Sequence, residues 1–213
     1  MKKCRVAGID LAGVPHNPSG ICLFNDKWNA KTFLLYSDED ILACLDKEKP
    51  EVVAIDAPLT LPPGRKSIEE RNAMHLRLCD RELKKRKIPF FPITLGPMRT
   101  LTARGISLKE TLEKKNLQVI EIYPGGAQDI WKIPRAGRDL AGLKAGLRNL
   151  GIRGIKENTT GDELDAVTAA LVGFLFLHGK AEIYGNWAEG AIVMPSGIPL
   201  CSFASSGPRH GRN

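Results

Sequence analysis

Residues 51–56 have the sequence Glu51-Val52-Val53-Ala54-Ile55-Asp56, a short apolar run that ends in a carboxylate and is followed by Ala57-Pro58. A continuous apolar run of this length is typical of a strand that is buried on both faces of a sheet. Pro58 ends the strand, because proline restricts the residue before it and cannot donate a ladder hydrogen bond. A sheet covered on both faces indicates an α/β fold.

Three strands are predicted before this run, at residues 4–9, 21–24 and 30–36, and short loops between them favour an antiparallel meander. Ser37 is a candidate N-cap for a helix that continues to Lys47. The chain order therefore predicts a mixed sheet with helices on its faces, in a single domain that spans residues 1–213.

The segment 59–115 has a different character, and we interpret it as a basic helical insertion or lid over the site. It is predicted to contain a long polar helix from Ser67 to about Lys87, irregular chain around 89–97, and a second helix over 107–115.

The remaining chain returns to alternating strands and helices. A strand at 117–122 is followed by helices at 127–131 and 140–150, by a helix that ends near His178, by a hairpin at 181–184 and 191–194, and by a flexible basic tail at 205–213. The helix before the hairpin begins at a capping box formed by Thr160 and Glu163.

The net charge of +7 is concentrated in one part of the chain. Residues 64–115 hold 14 Lys and Arg against 6 Asp and Glu, a larger excess than that of the whole chain. Lys and Arg release condensed counterions when they neutralise phosphates, so a polyanionic partner, nucleic acid in particular, is indicated. A solvated helix face that keeps the protein soluble is the alternative interpretation.

Cysteine usage and hydropathy exclude several other classes. The cysteines (Cys4, Cys22, Cys44, Cys79 and Cys201) form no CxxC pair, which favours reduced, mostly buried thiols over disulfides or a zinc site. The sequence has no apolar run long enough for a membrane span and no secretory signal at its first residues. We therefore expect a cytoplasmic protein. The sequence leaves the oligomeric state open, and a homodimer is one possibility.

Carboxylates end two of the predicted central strands. Asp10 follows the first strand and Asp56 follows the fourth. An aspartate that finishes a buried apolar strand is unfavourable unless a cation or hydrogen-bond donors compensate its charge. This edge is where open α/β sheets bind ligands, and two adjacent carboxylates repel each other unless a divalent ion neutralises them.

A second pair, Asp162 and Asp165, is spaced to lie on one side of the first turn of a helix. Their simplest role is to cap the helix and to stabilise the positive end of its dipole. Together with Asp10 and Asp56, they predict one metal site. Because all of these donors are oxygens, Mg²⁺ or Mn²⁺ is favoured over Zn²⁺.

Glu121 lies near the end of the strand at 117–122 and is a further candidate, as a ligand, a general base or a residue that orients a ligand. A polar residue that faces outwards at a strand edge is the alternative. The predicted catalytic set is thus Asp10, Asp56, Glu121, Asp162 and Asp165, and the candidate phosphate contacts are Arg65, Lys66, Arg71, Arg81, Lys84, Lys85 and Arg99. Two divalent ions about 4 Å apart can hydrolyse a phosphodiester of DNA or RNA.

Three motifs, taken in order, resemble the ribonuclease H-like superfamily: Gly8-Ile9-Asp10-Leu11-Ala12-Gly13, Val53-Ala54-Ile55-Asp56-Ala57-Pro58-Leu59 and Gly161-Asp162-Glu163-Leu164-Asp165-Ala166. Within it the sequence is similar to the DUF429 family of predicted nucleases. Other segments also resemble signatures of that family: Arg71, Cys79-Asp80-Arg81 and Glu121-Ile122-Tyr123-Pro124. The acidic pattern is similar to that of the RuvC-type Holliday-junction resolvases as well.

The resemblance covers the chain from Cys4 to about His178. It implies a mixed five-stranded sheet in the order 3-2-1-4-5 with helices on both faces, a helical insertion after the fourth strand, and hydrolysis with two metal ions. Asp56 stands where resolvases usually have glutamate, which shortens the reach of this side chain by one methylene.

Three other functions are compatible with parts of the pattern. An actin-like phosphotransferase or ATPase shares this sheet, but it normally needs two such domains and glycine-rich phosphate loops. A non-catalytic binding protein would retain the fold without needing Asp10 or Asp56. A hydrolase of a small phosphorylated molecule would use the same carboxylates and would have little use for the basic segment.

Overall fold

The computed structural model describes residues 4–14 and 16–197. Its strands are β1 (Val6–Asp10), β2 (Ser19–Phe24), β3 (Ala30–Leu35), β4 (Val52–Asp56), β5 (Gln118–Ile122), β6 (Ala181–Asn186) and β7 (Gly190–Pro195). Its helices are α1 (Asp38–Glu48), α2 (Leu78–Lys85), α3 (Gly96–Lys114), α4 (Pro124–Trp131), α5 (Leu140–Asn149) and α6 (Gly161–Leu177).

In the described residues the strands form one mixed sheet of seven, in the order β3-β2-β1-β4-β5-β7-β6. The first five strands have the predicted order, with β1 to β3 antiparallel and β1, β4 and β5 parallel. The prediction of a five-stranded sheet is corrected to seven, because β7 pairs in parallel with β5 and carries β6 with it. This hairpin buries Tyr184 and Ile192 against Leu83 of α2, which stabilises its addition to the sheet.

Each central strand buries side chains on both faces. In β4, Val52 and Ala54 belong to the core beneath α6, whereas Val53 and Ile55 belong to the core formed with α1 and α3. This arrangement explains why residues 52–55 are apolar without alternation, as the sequence predicted.

Helix α6 lies close enough to the sheet to touch its backbone. A Cβ atom at Gly8 would lie 2.1 Å from the carbonyl oxygen of Ala166 and 2.5 Å from the amide nitrogen of Ala170. A Cβ atom at Gly20 would lie 2.1 Å from the carbonyl oxygen of Asp162. The absence of side chains at these two positions therefore seats the first turns of α6 beside the carboxyl end of β1.

The long polar helix predicted from Ser67 to about Lys87 is wrong in its first half, whereas its second half contains α2. Residues 57–77 form turns and irregular chain, and helix begins with α2. The buried guanidinium of Arg65 donates hydrogen bonds to carbonyl oxygens of this loop, including that of Met74 at 2.9 Å. The loop thus folds around a cation, and its carbonyls are not available for helical hydrogen bonds.

The helix predicted over 107–115 begins earlier, at Gly96, and Pro97 occupies its first turn. Proline is tolerated there because the missing N–H would have no partner within the helix. Helix α3 also makes the crossover that the parallel neighbours β4 and β5 require, and it buries Leu108 and Leu112 on the sheet. The second half of segment 59–115 is therefore packed against the core.

Two smaller predictions can be compared with the described residues. None of the helices there is both long and apolar enough to cross a bilayer. Cys4, Cys22 and Cys79 are buried free thiols and Cys44 is a partly exposed one, as predicted. Cys201 and the predicted tail at 205–213 lie outside the described residues.

The substitution Gly8→Ala tests the close approach of α6 to β1. The added methyl group has no space, and one backbone must shift, so we expect the free energy of unfolding to fall by about 3 kcal/mol. Urea unfolding followed by circular dichroism measures this loss. Gly96→Ala is the matched control, because nothing lies within 4 Å of a Cβ atom there. Equal losses in the two variants would contradict the packing.

Candidate active site

The carboxyl ends of β1 and β4 bring Asp10 and Asp56 together. The two residues are register partners in neighbouring parallel strands, so their Cα atoms lie about 4.8 Å apart. Side chains alternate between the two faces of a strand, so residues two apart face the same way. Asp10 comes two residues after Gly8, and Asp56 two residues after Ala54, and both of these earlier positions face α6. Both carboxylates therefore lie on the face that α6 covers.

Helix α6 begins at this same edge. The predicted capping box is confirmed, since Thr160 Oγ1 accepts from the N–H of Glu163 and the Glu163 carboxylate accepts from the N–H of Thr160 at 2.9 Å. Because Glu163 completes the cap, Asp162 and Asp165 are free of that task. Asp10 and Asp162 line the same cavity, and Gly20, the register partner of Asp10, lies against the backbone of Asp162. The charges of Asp165 and Asp162 also raise the pKa of Asp10.

Burial and mutual repulsion act on the same carboxyl groups. Burial raises the pKa of Asp10 well above its ordinary value, and the charges of Asp165 and Asp162 raise it further. Burial also raises the pKa of Asp56 well above its ordinary value, followed by the charges of Asp10, Asp165 and Glu121. The structure thus brings together four aspartates from β1, β4 and α6, which we call the acidic cluster: Asp10, Asp56, Asp162 and Asp165.

Gln128 of α4 holds one member of the acidic cluster. Its Nε2 atom donates to Asp165 Oδ1 at 2.6 Å and to Thr168 Oγ1 at 3.1 Å, and the side chain is buried. Burial raises the pKa of Asp165 to about 6, and the hydrogen bond from Gln128 opposes this shift. Gln128 is therefore a positioning residue, which the sequence analysis missed.

Two cavities open beside the acidic cluster. The first, of about 290 Å³, is lined by Asp10, Ala12, Gly13, Asn17, Pro18 and Asp162. The second, of about 180 Å³, has Asp56, Phe90, Phe91 and Tyr123 among its lining residues, and we call it the aromatic cavity. The two cavities have no lining residue in common. Asp10 lines the first and Asp56 lines the second, so the acidic cluster borders both.

Arg135 brings a positive charge to the acidic cluster. Its charge lowers the pKa of Asp165, although burial raises that pKa more strongly. The guanidinium pairs with Asp129 and donates to the Tyr123 hydroxyl at 3.0 Å, and that hydroxyl donates to the carbonyl of Pro89. Arg135 remains partly exposed, so its guanidinium can also contact an anion beside the cluster. No sequence pattern marks Arg135, and Tyr123 is marked only as part of the motif Glu121-Ile122-Tyr123-Pro124.

Glu121 lies on the opposite face of the sheet from the acidic cluster. It is the register partner of Ile55, which packs on the face of α1 and α3. Arg77 binds both of its carboxylate oxygens, at 2.6 and 2.8 Å, and the N–H of Leu59 donates to one of them at 2.8 Å. Of the predicted roles, ligand and general base are therefore not supported. Glu121 instead ties the segment after Asp56 to β5.

Arg77 is the centre of a buried ion network that the sequence analysis also missed. Besides Glu121, its guanidinium binds Asp80, with distances of 2.9 and 3.1 Å, and its side chain is 2% exposed. The network joins the start of α2 to β5 and fixes the loop that leads into the helix. Asp80 is close to Arg77 in sequence, but Glu121 is 44 residues away, so the sequence does not show that Arg77 joins the two carboxylates.

The predicted phosphate contacts divide into two groups. Those that are exposed and available to a ligand are Lys66, Arg71, Arg81, Lys84 and Lys85. Arg65 is buried in its loop, and its guanidinium is bound to backbone carbonyls, which corrects its prediction as a phosphate contact. Arg99 forms a surface ion pair with Glu69 that a phosphate would have to displace.

The donor chemistry of the acidic cluster fits a divalent cation. Its side chains offer oxygen donors alone, which Mg²⁺ and Mn²⁺ prefer, and their repulsion is of the kind that a cation relieves. Among the described residues, no three His, Cys, Asp or Glu side chains are already close enough to enclose an ion. Binding would therefore require the carboxylates to move inwards.

By sequence, the chain matches no protein family and no curated protein. Among solved structures it is similar to the RuvC structure of Thermus thermophilus, with a TM-score of 0.42 and 16% sequence identity, covering 82% of this chain and 96% of that chain. Similarity at this level does not extend to residues or activity. Membership of the DUF429 family thus remains a resemblance of motifs.

The substitution Arg77→Ala tests the buried ion network. It leaves Asp80 and Glu121 buried without their partner, so we expect the free energy of unfolding to fall by about 3–5 kcal/mol in urea denaturation. Replacing all three residues, with Arg77→Met, Asp80→Asn and Glu121→Gln, should recover most of the loss. Arg81→Ala, on the exposed side of α2, should change stability by less than about 0.5 kcal/mol. A loss in Arg81→Ala equal to that in Arg77→Ala would contradict the network.

The substitution Asp165→Asn tests the repulsion within the acidic cluster. The folded-state pKa of about 6 exceeds the ordinary 3.8, so the ionised Asp165 destabilises the metal-free protein above pH 6, and this effect disappears as the pH falls towards 4. In a chelating buffer we therefore expect Asp165→Asn to be about 1–2 kcal/mol more stable than the wild type at pH 7, and equally stable near pH 4. Urea unfolding at several pH values measures the difference.

The control for this test is Asp46→Asn, which removes a surface carboxylate paired with Lys115 and should have little effect. A pH-independent effect of Asp165→Asn, or a loss of stability at pH 7, would show that the ionised Asp165 does not destabilise the metal-free protein.

Proposed function

We propose that this protein is a nuclease that hydrolyses phosphodiester bonds of DNA or RNA with the help of divalent metal ions. The observation that carries the proposal is the convergence of the acidic cluster from three separate elements on one edge and one face of the sheet. Burial and repulsion both make this arrangement unfavourable for folding alone. Perturbed carboxyl groups that gather beside a cavity are therefore best explained by function.

The residues of the cluster and its neighbours have distinct proposed roles. Asp10, Asp56 and Asp165 would hold Mg²⁺ or Mn²⁺, with Asp162 as a further ligand. When bound, such ions lower the pKa of a water and stabilise charge on the leaving oxygen. Gln128 keeps the Asp165 carboxylate in place through its hydrogen bond.

Arg135 would neutralise a phosphate oxygen next to the cluster. Its pairing with Asp129 and Tyr123 holds the guanidinium in one orientation, and a fixed guanidinium binds phosphate with less loss of entropy than a free one. The proposed site is therefore negative where it holds cations and positive where it meets the phosphate.

Nucleic acid as the substrate is supported by exposed cations near the site. Lys84 and Lys87 line a cavity of about 420 Å³, and Phe90 lines both this cavity and the aromatic cavity beside Asp56. A strand could thus contact these lysines with one phosphate while another reaches the cluster. A small phosphorylated molecule would not need them. In this proposal the chain is one domain, and segment 59–115 supplies substrate contacts.

A cleavage panel tests the proposed activity. Single-stranded, duplex, hybrid and branched oligonucleotides are incubated with Mg²⁺ or Mn²⁺, and we expect metal-dependent cleavage of at least one class. Asp10→Asn and Asp56→Asn should each reduce the rate by at least about 100-fold while nucleic-acid binding is retained. Mn²⁺ should also raise the melting temperature of the wild type and leave that of both variants nearly unchanged.

Asp26→Asn is the control, because this carboxylate pairs with Arg5 away from the cluster and should leave the rate unchanged. Cleavage that survives in both Asp10→Asn and Asp56→Asn would contradict the proposed role of the acidic cluster. Binding without cleavage of any substrate would overturn the nuclease proposal in favour of a binding protein.

A further inference from the structure

The aromatic cavity beside Asp56 has apolar walls and an exposed ring at its rim. Its lining residues include the aromatic residues Phe90, Phe91 and Tyr123 and the aliphatic residues Met98 and Leu101. The side chain of Phe91 is 68% exposed. An apolar cavity with an exposed aromatic residue at its mouth is typical of a site that binds a flat, largely apolar group.

Apart from Asp56, the charged groups that line this cavity already have partners. Arg77, Asp80 and Glu121 contribute to the lining, but they bind one another in the buried ion network. They therefore form a rigid wall rather than a charged subsite. An occupant would meet ring faces and aliphatic atoms, with Asp56 of the acidic cluster at its side.

Two lysines lie beside this cavity. Phe90 also lines the neighbouring cavity of about 420 Å³, where Lys84 and Lys87 contribute their side chains. A ligand that spans both cavities would place a flat ring against Phe90 on one side and an anionic group near the lysines on the other. A nucleotide within a nucleic-acid strand has both of these parts in one unit.

We propose that the aromatic cavity binds one unstacked nucleobase of the substrate strand, against Phe90 and Phe91, next to the phosphodiester that the acidic cluster cleaves. This inference rests on the nuclease function proposed above and names its substrate class: unpaired or locally opened nucleic acid. A base within a duplex is covered on both faces by its neighbours, so it cannot enter the cavity until it leaves the stack.

Binding of a short, fluorescently labelled single strand tests the cavity, measured by anisotropy with Ca²⁺ replacing Mg²⁺ to keep the strand intact. Phe91→Ala and Phe90→Ala should each weaken binding about tenfold, because base–aromatic stacking is lost. Tyr36→Ala removes another exposed aromatic side chain, 54% exposed after β3, and should bind as the wild type does. The matching duplex should bind the wild type about tenfold more weakly than the single strand.

A series of strands with one abasic nucleotide each separates stacking from charge. At one position the missing base should weaken binding to the wild type about tenfold and change binding to Phe91→Ala little, because the ring that the base contacts is already gone. Far-UV circular dichroism checks that the exposed Phe91 can be truncated without unfolding.

The outcomes separate this inference from the proposed activity. If Phe91→Ala and Phe90→Ala bind the single strand as tightly as the wild type, or if duplex and single strand bind equally, the base-binding cavity is wrong even where the panel detects cleavage. If the aromatic and abasic effects occur but no substrate is cut, the nuclease proposal fails and the base-binding cavity stands.

Discussion

The alternation of side chains in two paired strands is the constraint on which the site depends. Parallel pairing of β1 and β4 sets Asp10 level with Asp56, on the face that α6 covers. A shift of one residue in either strand would turn its carboxylate into the core beneath α1 and α3. Helix α6 can approach these carboxylates because Gly8 and Gly20 present no side chain to its backbone. Register and close packing together thus create the acidic cluster.

Local patterns in the sequence predict the parts of the fold and site that depend on neighbouring residues. The apolar run before Asp56 and the cap at Thr160 are of this kind, and both have the predicted place in the structure. Glu121 could have been placed as well, since Ile120 and Ile122 on either side belong to the core beneath α6 and the residue between them must face away. Its nearness to the strand end was the weaker criterion.

Side-chain contacts that form only in the folded chain account for what the sequence does not predict. Arg65 and Arg77 have the same chemistry as the exposed basic residues around them, and only the folded chain shows that one binds loop carbonyls and the other binds two buried carboxylates. Gln128 acquires its role because α4 lies beside α6. A count of charges in segment 59–115 therefore overestimates the surface that is available to a polyanion, since part of the positive charge holds the loop together.

The acidic cluster can lower its free energy in two ways, and the two compete. Burial and repulsion raise the pKa of Asp10 and Asp56, so these groups keep protons at a higher pH than exposed aspartates do. In the proposed metal site a divalent cation would neutralise the same oxygens, but it would bind the deprotonated forms. Such binding would therefore release protons, and acid would weaken it. The burial that register and α6 impose would thus determine both the repulsion in the metal-free protein and the pH range in which a metal ion could replace the protons.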